Sequence, residues 1–427
     1  MGGSVIRRAA ILSTGDELTT GRIADTNAQW IADKLFELGI DLVTVITVGD
    51  YPERIEWAWK QALSQADVVV STGGIGPTAD DLTTETVAAV LGRALVEDAP
   101  SADRIRRFFA SRGVEMPQNN LKQALVPEGY VIVPNPLGTA PGYRVQAGGK
   151  HVVVLPGVPR EMKPMVEDTV LPWLRSLQGA DTYLAHTFQT FGISESGLDE
   201  LVAGVVDANE GRVSFRASFP EVSVRVVVHG KPDEAAARLE AVAARMRERL
   251  GEYCYGEGVT SMEEVVGRAL AGRGWTLGVA ESCTGGLVGH RVTNVPGSSK
   301  YFLGGIEAYA NGAKMALLGV SRATLDAHGA VSEECAREMA AGARKALGVD
   351  VAVATTGIAG PDGGTREKPV GFTCFGLATA DGVVARTHQL WGTRDWVKLL
   401  ASQVALDMVR RTATGLPLWD PSLFRRR

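Results

Sequence analysis

The sequence is poor in cysteine, and the few cysteines present do not form a recognisable site. Its 427 residues include only Cys254, Cys283, Cys335 and Cys374. No two of them form a Cys-x-x-Cys pair, which argues against bound zinc. Nothing in their spacing indicates a disulfide framework, and reduced thiols are typical of the cytosol. We therefore expect a cytoplasmic protein.

Long apolar runs and clustered positive charge are also missing. No stretch of about 18 apolar residues occurs, and the first ten residues lack a signal-type apolar run, so we expect no membrane association. The 44 basic and 49 acidic side chains give a formal net charge of −5. Direct nucleic-acid binding is not expected, because it needs clustered Lys and Arg.

The length and the hydrophobic content of the chain are sufficient for several folded domains. Hydrophobic residues make up 45% of it, and a length prior of about 100–200 residues per domain gives two to four domains. Strand and helix patterns alternate near both ends, which predicts mostly parallel sheets. We expect an α/β protein with two α/β domains flanking a small α+β domain along the chain. The predicted ranges are 1–176, 177–256 and 257–416, followed by a loose basic tail at 417–427.

The clearest candidate site is the strand-to-helix turn Glu281-Ser282-Cys283-Thr284-Gly285-Gly286. An apolar strand delivers Ser282 to the carboxyl edge of a sheet, where open α/β folds bind ligands. The glycines let a helix begin close to a ligand, so that its free N–H groups can hold an oxyanion or a phosphate. A nucleophilic serine needs a base, and Lys314 follows a strand predicted to end on the same side.

Two other interpretations of this turn remain open. The turn can be a packing feature alone. Cys283 is a rival nucleophile, but adjacent side chains leave a strand end in different directions, so only one of the pair can face a ligand. We favour Ser282 as the nucleophile and Cys283 as a packing residue.

A second glycine-rich segment, Thr356-Gly357-Ile358-Ala359-Gly360-Pro361-Asp362-Gly363-Gly364-Thr365, follows a predicted strand. Such loops present backbone N–H groups to anions. It is not a Walker loop, because no Gly-Lys-Ser/Thr ends it.

These motifs together resemble a known family. The segments that carry the resemblance are Ala280–Gly286, Pro296-Gly297-Ser298-Ser299, Tyr309-x-Asn311-x-x-Lys314, His328-Gly329-Ala330-Val331-Ser332, Thr356–Pro361 and Lys368-Pro369-Val370-Gly371. In this order, over about 150 residues, they resemble the C-terminal domain of the CinA (competence/damage-inducible) family. Related stand-alone proteins are nicotinamide mononucleotide (NMN) deamidases.

The resemblance implies hydrolysis of the nicotinamide amide to nicotinic acid mononucleotide and ammonia, without a cofactor. It implies Ser282 as the nucleophile, with Lys314 and Tyr309 assisting proton transfer. The substrate-binding residues that it implies are Thr284, Gly285, Gly286, Asn311, Thr356, Gly357, Gly360 and Arg394. The chain departs from the family pattern at Gly312, where a glutamate is usual, and at Thr393, where the family has Gly-Asp-Arg.

Acidic and glycine-rich segments near the N-terminus suggest a second site. Thr14-Gly15-Asp16-Glu17, Asp25-Thr26-Asn27, Gly49-Asp50 and Gly73-Gly74-Ile75-Gly76-Pro77-Thr78-Ala79-Asp80-Asp81 fall at or after predicted strand ends. Carboxylates beside such turns suit Mg²⁺ or a similar hard ion bound with phosphates. The predicted metal ligands are Asp16, Glu17, Asp25, Asp50, Asp80 and Asp81. The alternative is helix capping, since we expect Asp25 and Asp80 at helix starts.

These N-terminal motifs resemble the molybdopterin-binding fold over residues 6 to about 172. In the CinA family this domain is associated with ADP-ribose pyrophosphatase activity, which implies a metal-activated water. Gly73, Gly74, Gly76 and Thr78 are the implied substrate contacts. The alternative is a non-catalytic module that binds a pterin or a nucleotide, or a regulatory protein linked to competence or DNA damage.

The middle segment, residues 178–255, resembles the small KH-like domain of the same family through Phe191-Gly192-Ile193-Ser194-Glu195-Ser196. A nucleic-acid-binding KH domain uses a Gly-x-x-Gly loop, and no basic version of it is present here. We therefore expect a structural or dimer-forming role, and the resemblance suggests a homodimer whose ligands are NMN and ADP-ribose.

Overall fold

A computed structural model describes residues 6–177 and 182–418. It divides into two compact units. The first runs to Ala185 and includes Val227–Leu239, and the second contains His186–Val226 and the chain from Glu240 onward. The predicted basic tail lies, from residue 419 onward, outside the described residues.

The first unit contains an α/β domain with one large sheet. Its strands and helices are β1 (Arg8–Thr14), α1 (Asp16–Thr19), α2 (Thr26–Glu37), β2 (Asp41–Val48), α3 (Pro52–Gln65), β3 (Val68–Thr72), α4 (Thr83–Val90), β4 (Leu95–Glu97), α5 (Ala99–Ala110), β5 (Leu125–Pro127), β6 (Val131–Val133), β7 (Gly142–Ala147), β8 (Lys150–Leu155), α6 (Pro159–Met165) and α7 (Leu171–Ser176). A 3-10 segment at Gln118–Ala124 precedes β5, and a π-helical turn at Val166–Val170 joins α6 to α7.

The strand order of this sheet is β2-β1-β3-β8-β7-β6. The first four strands are parallel, and β7 and β6 pair antiparallel at one edge. All five side chains of β3 are buried, as expected for a central strand covered on both faces. The parallel order brings the carboxyl ends of β1, β3 and β8 to one edge.

One helix begins later than the sequence predicted. We expected a helix from Asp80, but α4 begins at Thr83. The Asp81 carboxylate accepts hydrogen bonds from the backbone N–H of Thr78 at 2.8 Å and from the Thr78 hydroxyl at 2.5 Å. This local turn competes with the helix, so Asp80 is not at a helix start and the capping interpretation is wrong for it.

The middle segment is an α+β module, as predicted. It contains β9 (Thr182–Thr190), α8 (Glu195–Val202), β10 (Gly211–Ser218), β11 (Glu221–Gly230), α9 (Pro232–Leu250) and β12 (Cys254–Glu257). These strands form a sheet with the order β10-β11-β9-β12. The sequence pattern predicts an α+β domain here but does not indicate β10 or β12.

The C-terminal part of the second unit is the other α/β domain. Its elements are α10 (Met262–Arg273), β13 (Leu277–Glu281), α11 (Leu287–Thr293), β14 (Phe302–Glu307), α12 (Asn311–Leu318), α13 (Arg322–His328), α14 (Glu333–Leu347), β15 (Val351–Gly357), β16 (Phe372–Thr379), β17 (Gly382–Gln389) and α15 (Arg394–Thr414). A capping box begins α10, with Ser261 and Glu264 exchanging hydrogen bonds.

The C-terminal sheet has the order β14-β13-β15-β16-β17. The first three strands are parallel and the last two are antiparallel. The predicted α/β fold with mostly parallel sheets and an α+β middle domain is therefore confirmed. Helices α10 and α15 contribute to one apolar core and α14 to another. Within the part of the chain that the structure describes, no helix is long and apolar enough to span a membrane.

Candidate active sites

The structure brings Ser282 and Lys314 into direct contact at the C-terminal sheet. Ser282 follows β13, and Lys314 lies one turn into α12, the helix after the neighbouring strand β14. Lys314 Nζ is 2.9 Å from Ser282 Oγ. The two side chains are 1% and 8% exposed, so the pair is shielded from water.

Burial without an ion-pair partner favours an uncharged amine at Lys314. Its Nζ also donates to the carbonyl oxygens of Ala308 at 2.7 Å and Tyr309 at 3.0 Å. Among residues 6–177 and 182–418, no carboxylate forms an ion pair with it, and burial lowers its pKa. A neutral amine can give its two N–H groups to the two carbonyls. Its lone pair is then left to accept the Ser282 hydroxyl hydrogen.

A buried carboxylate fixes the turn that follows Ser282. Glu281 is 2% exposed and accepts hydrogen bonds from the backbone N–H groups of Val288 at 3.1 Å and Gly289 at 2.8 Å. It therefore caps the first turn of α11 from the end of β13. Gly286 has a φ of 83°, a conformation that side-chain-bearing residues rarely adopt. Nothing in the sequence pattern indicates this capping role of Glu281.

Cys283 is in an environment that suits packing. It is 5% exposed, and a Cβ atom placed on Gly357 would lie 3.1 Å from its Sγ. Burial raises the pKa of the Cys283 thiol to about 12, which keeps it protonated and a poor nucleophile at neutral pH.

The side chains of Tyr309 and Arg394 are hydrogen-bonded beside the glycine-rich loop that follows β15. Arg394 donates one hydrogen bond to the Gly360 carbonyl at 2.7 Å and another to the Tyr309 hydroxyl at 3.0 Å. The Tyr309 side chain is 65% exposed. The guanidinium therefore ties the loop after β15 to the segment between β14 and α12.

The other predicted binding residues fall into two groups. Thr284 and Thr356 are buried, with their hydroxyls bonded to Thr355 Oγ1 at 2.8 Å and the Ala330 carbonyl at 2.7 Å respectively. These two side chains support the loops. Asn311 and Gly312 are exposed at the start of α12, and nothing lies within 4 Å of a Cβ placed on Gly312. The family's glutamate would therefore fit at Gly312 without a clash.

Lys398 is a cation that the sequence reasoning did not single out. A Cβ atom placed on Gly285 would lie 3.9 Å from Lys398 Nζ. Lys398 follows Arg394 by four residues on α15, so both cations lie on the same face of that helix. Their spacing was visible in the sequence, but their direction depends on how α15 packs.

The N-terminal domain has a cleft of about 720 Å³ at the carboxyl edge of its sheet, a volume typical of ligand sites. Seven of the predicted residues line it: Glu17, Asp50, Gly73, Gly74, Gly76, Asp80 and Asp81. Gly73 has a φ of 94°, and a Cβ atom there would lie 2.2 Å from the Thr14 carbonyl oxygen, so only glycine fits.

Three of the predicted residues have other roles. Asp25 is the N-cap of α2 and accepts a hydrogen bond from the Ala28 backbone N–H at 2.9 Å. Thr78 closes the turn with Asp81 described above. Asp16 and Asp50 exchange hydrogen bonds, each carboxylate accepting from the other's backbone N–H at 2.9 and 3.2 Å. None of Asp16, Asp25 and Thr78 lines the cleft.

The acidic side chains do not form a metal cage by themselves. Over the described ranges, no three His, Cys, Asp or Glu side chains converge where they could hold a metal ion. Burial raises the pKa of Asp50, and the negative charges of Asp16, Glu17 and Asp80 add to this effect. Mg²⁺ is usually held by one or two carboxylates together with substrate phosphates. The cleft therefore fits a metal that binds with a phosphorylated ligand.

Basic and aromatic residues of the cleft were missed by the sequence reasoning. Arg112 and Arg160 line it together with Glu161 and Phe108. The Arg112 guanidinium lies 3.5 Å from the centre of the Phe108 ring. Glu161 accepts a hydrogen bond from Asn135 Nδ2 at 2.8 Å. These residues are distant in sequence from the glycine-rich motifs, and only folding brings them together.

Three family models match the chain in succession. Residues 10–176 match a probable molybdopterin binding domain, residues 185–256 match the damage-inducible protein CinA KH domain, and residues 259–413 match the CinA C-terminal domain.

Similar proteins match over nearly the full length. A putative competence-damage inducible protein of Caldanaerobacter subterraneus subsp. tengcongensis is 42% identical over 408 residues, covering 96% of this chain and 99% of the relative. A putative competence-damage inducible protein of Symbiobacterium thermophilum is 44% identical over 424 residues, covering 95% of this chain and 99% of the relative. A solved structure of the protein CinA with unknown function from Thermoplasma acidophilum is 36% identical, covers 38% of this chain and 96% of its own, and superposes with a TM-score of 0.36.

The three domain models, in order, and the relatives that match over the whole chain lead to one conclusion. The chain belongs to the CinA family, with a molybdopterin-binding-type domain, a KH domain and a CinA C-terminal domain.

Proposed function

We propose that the C-terminal domain hydrolyses the amide of nicotinamide mononucleotide by a Ser–Lys mechanism. The observation that carries this proposal is the 2.9 Å contact between Lys314 Nζ and Ser282 Oγ, in a position where the lysine is buried. A serine beside an uncharged, oriented amine is an activated nucleophile.

The chemistry follows from this pair. Lys314 takes the hydroxyl proton as Ser282 Oγ attacks the amide carbon. The carbon–nitrogen bond then breaks, and Lys314 gives the proton to the departing nitrogen, which leaves as ammonia. A water molecule hydrolyses the resulting serine ester with Lys314 again as the base, releasing nicotinic acid mononucleotide and restoring the enzyme.

The surrounding groups have roles that fit a mononucleotide. The backbone N–H groups of Val288 and Gly289 are bound by Glu281, so an oxyanion would have to be held by other N–H groups of the turn that follows Ser282. Arg394 and Lys398 supply positive charge suited to a phosphate. Tyr309, whose hydroxyl accepts a hydrogen bond from Arg394, would assist proton transfer at the exposed side of the site.

A product assay tests this proposal. Wild-type protein is incubated with nicotinamide mononucleotide, and ammonia and nicotinic acid mononucleotide are quantified. Lys314→Ala should lose most of the turnover, whereas Lys345→Ala, which changes an exposed lysine on α14, should keep it. No product from the wild type, or equal turnover by both variants, would rule the mechanism out.

We also propose that the N-terminal cleft is the active site of a metal-dependent ADP-ribose pyrophosphatase. Its support is the combination of Glu17, Asp50 and Asp80 with Arg112 and Arg160 in one cleft of about 720 Å³. A divalent metal bound there with the pyrophosphate would activate a water molecule. The arginines would bind phosphate oxygens, and Asp50 would orient the metal.

The competing function is binding of a pterin or nucleotide without hydrolysis. The full chain is incubated with ADP-ribose and Mg²⁺ or Mn²⁺, and AMP is measured beside Asp50→Asn. AMP production that depends on both the metal and Asp50 supports hydrolysis. Saturable ADP-ribose binding without AMP under any metal supports the binding function.

We propose domain ends at residues 176, 256 and 416, and a homodimer in which the KH domain has a structural role. The match of the KH family model to residues 185–256 supports the middle assignment. Sedimentation should give twice the chain mass of 45.3 kDa. A single-chain mass at micromolar concentration would contradict the dimer.

A further inference from the structure

The hairpin between β10 and β11 of the KH domain touches helix α15 of the C-terminal domain at two points within the second unit. The Phe219 ring stacks on Trp396, with ring centres 4.2 Å apart, and also meets Trp391 at 5.6 Å. Two residues on, Glu221 Oε1 accepts a hydrogen bond from Gln403 Nε2 at 2.7 Å.

These contacts fall on one face of α15, and the substrate-side cations fall on the other. Trp396 and Gln403 are seven residues apart, so they share a face. Arg394 and Lys398 are four residues apart and lie roughly half a turn round the helix from the first pair. Helix α15 therefore separates the hairpin from the residues that reach Gly360, Tyr309 and Gly285.

A series of hydrogen-bonded polar side chains connects Glu221 to α11, the helix that follows the Ser282 turn. Gln403 Oε1 accepts a hydrogen bond from Arg291, at 2.5 Å, while its Nε2 is committed to Glu221. Arg291 is 8% exposed, lies on α11, and donates also to Ser402 at 2.9 Å and Glu263 at 2.6 Å.

Glu221 determines the orientation of the Gln403 side-chain amide, because that amide has a donor nitrogen at one end and an acceptor oxygen at the other. With Glu221 accepting from the nitrogen, the oxygen must face the Arg291 guanidinium. Without Glu221, the amide can rotate and present N–H groups to a cation, which removes one of the two hydrogen bonds from Arg291 to α15 and leaves only the one to Ser402. Glu221 is half-buried and Gln403 is fully buried, so the loss of Glu221 also leaves a buried donor without this acceptor.

We propose that Glu221 and Phe219 of the KH domain are positioning residues of the amidase site. They hold α15 against α11, so that Arg394 and Lys398 face the substrate. This inference rests on the proposed deamidase function for its kinetic test, but the mechanical coupling itself does not depend on the substrate.

Loss of these contacts should change KM much more than kcat. Glu221, Gln403 and Arg291 form no hydrogen bond with Ser282 or Lys314, whose contact joins the end of β13 to α12. Displacing α15 should therefore weaken nucleotide binding about tenfold while leaving the proton transfer in place. We expect KM for nicotinamide mononucleotide to rise about tenfold in Glu221→Leu, with kcat within about twofold of the wild type and an unchanged pH profile of kcat.

The experiment compares full-length variants at both contact points. Glu221→Gln keeps an acceptor for Gln403 and should restore most of the wild-type KM. Phe219→Leu should raise KM in the same direction, which keeps the test valid if Glu221→Leu does not fold. Glu248→Leu, an exposed change on α9, is the matched control. An unchanged KM in both Glu221→Leu and Phe219→Leu, or a fall in kcat alone, overturns the proposal.

Hydrogen exchange separates this inference from the proposed function. Backbone N–H groups of Leu287–Thr293 and of the first turns of α15 should exchange faster in Glu221→Leu than in the wild type, while those of α12 do not. Wild-type exchange rates in α11 and α15 overturn the coupling whatever the substrate proves to be. Absence of wild-type turnover with faster exchange contradicts the deamidase alone.

Discussion

Replacing Lys314 by methionine removes the amine while keeping an unbranched side chain of similar length. Three hydrogen bonds of Nζ are lost, to Ser282 Oγ and to the carbonyls of Ala308 and Tyr309. The thioether cannot accept the serine proton with comparable strength. We expect kcat for nicotinamide mononucleotide hydrolysis to fall by about 10²–10⁴, the usual contribution of a general base.

The stability of this variant should change much less than its activity. Each buried carbonyl left without a donor costs about 1–3 kcal/mol. The wild type, however, has to bury an amine that prefers water, and methionine removes that cost. The two effects oppose each other, so we expect the free energy of unfolding to change by no more than about 2 kcal/mol. Circular dichroism and thermal unfolding check that the variant is folded.

The pH dependence of the wild type gives an independent readout. Burial lowers the pKa of Lys314 from its ordinary value of 10.5. Only the neutral amine has a lone pair, so kcat should fall as the pH drops through the lowered pKa. Because the unfolded chain binds this proton more tightly, the contribution of Lys314 to stability should rise between the lowered pKa and 10.5. Lys314→Met should show neither change.

Ammonia release is measured by a coupled assay between pH 5 and 10, with enzyme concentrations scaled to reach the slow variant. A Lys314→Met protein that is folded and keeps more than half of the wild-type kcat would refute the role of Lys314 as base. So would a wild-type kcat that does not fall toward low pH.

Three glycine positions give further tests. Gly286→Ala should lower kcat/KM about a hundredfold in the ammonia assay, since φ is 83° and the new Cβ would lie 2.6 Å from Glu307 Oε1; full activity would contradict the need for this turn. Gly312→Glu should leave the melting temperature unchanged or slightly raised, because the site is open and glycine disfavours a helix; a large loss of stability would contradict the open environment. Gly73→Ala should abolish ADP-ribose binding, measured by calorimetry, while ammonia release continues; retained binding would place the ligand elsewhere.

Much of the fold could be predicted because many of its strands and helices have clear local sequence patterns. The parallel strands are short apolar runs, and α2, α3 and α5 each begin beside Asp or Pro. Strands such as β10 were missed because Gly211–Ser218 is mostly half-buried or exposed and shows no apolar run. The late start of α4 was missed because a side-chain turn at Thr78 and Asp81 overrides the helical pattern.

The contact between Ser282 and Lys314 could be anticipated because both follow neighbouring strands of a parallel sheet. Their catalytic roles stay predictions. Lys398, Glu161 and Arg112 could not be found in this way, since each reaches its site from an element whose rotation depends on packing. For Asp25 the structure supports the capping alternative, because a carboxylate at a helix start needs no metal to explain it.

The most direct measurement is ammonia and nicotinic acid mononucleotide formation by wild type, Ser282→Ala and Cys283→Ala at the same protein concentration. The wild type should release both products in equal amounts, and Cys283→Ala should stay within about twofold of it because the thiol is buried and protonated. Ser282→Ala should release neither product above background while remaining folded. Turnover retained by Ser282→Ala, or lost in a folded Cys283→Ala, would contradict catalysis by Ser282.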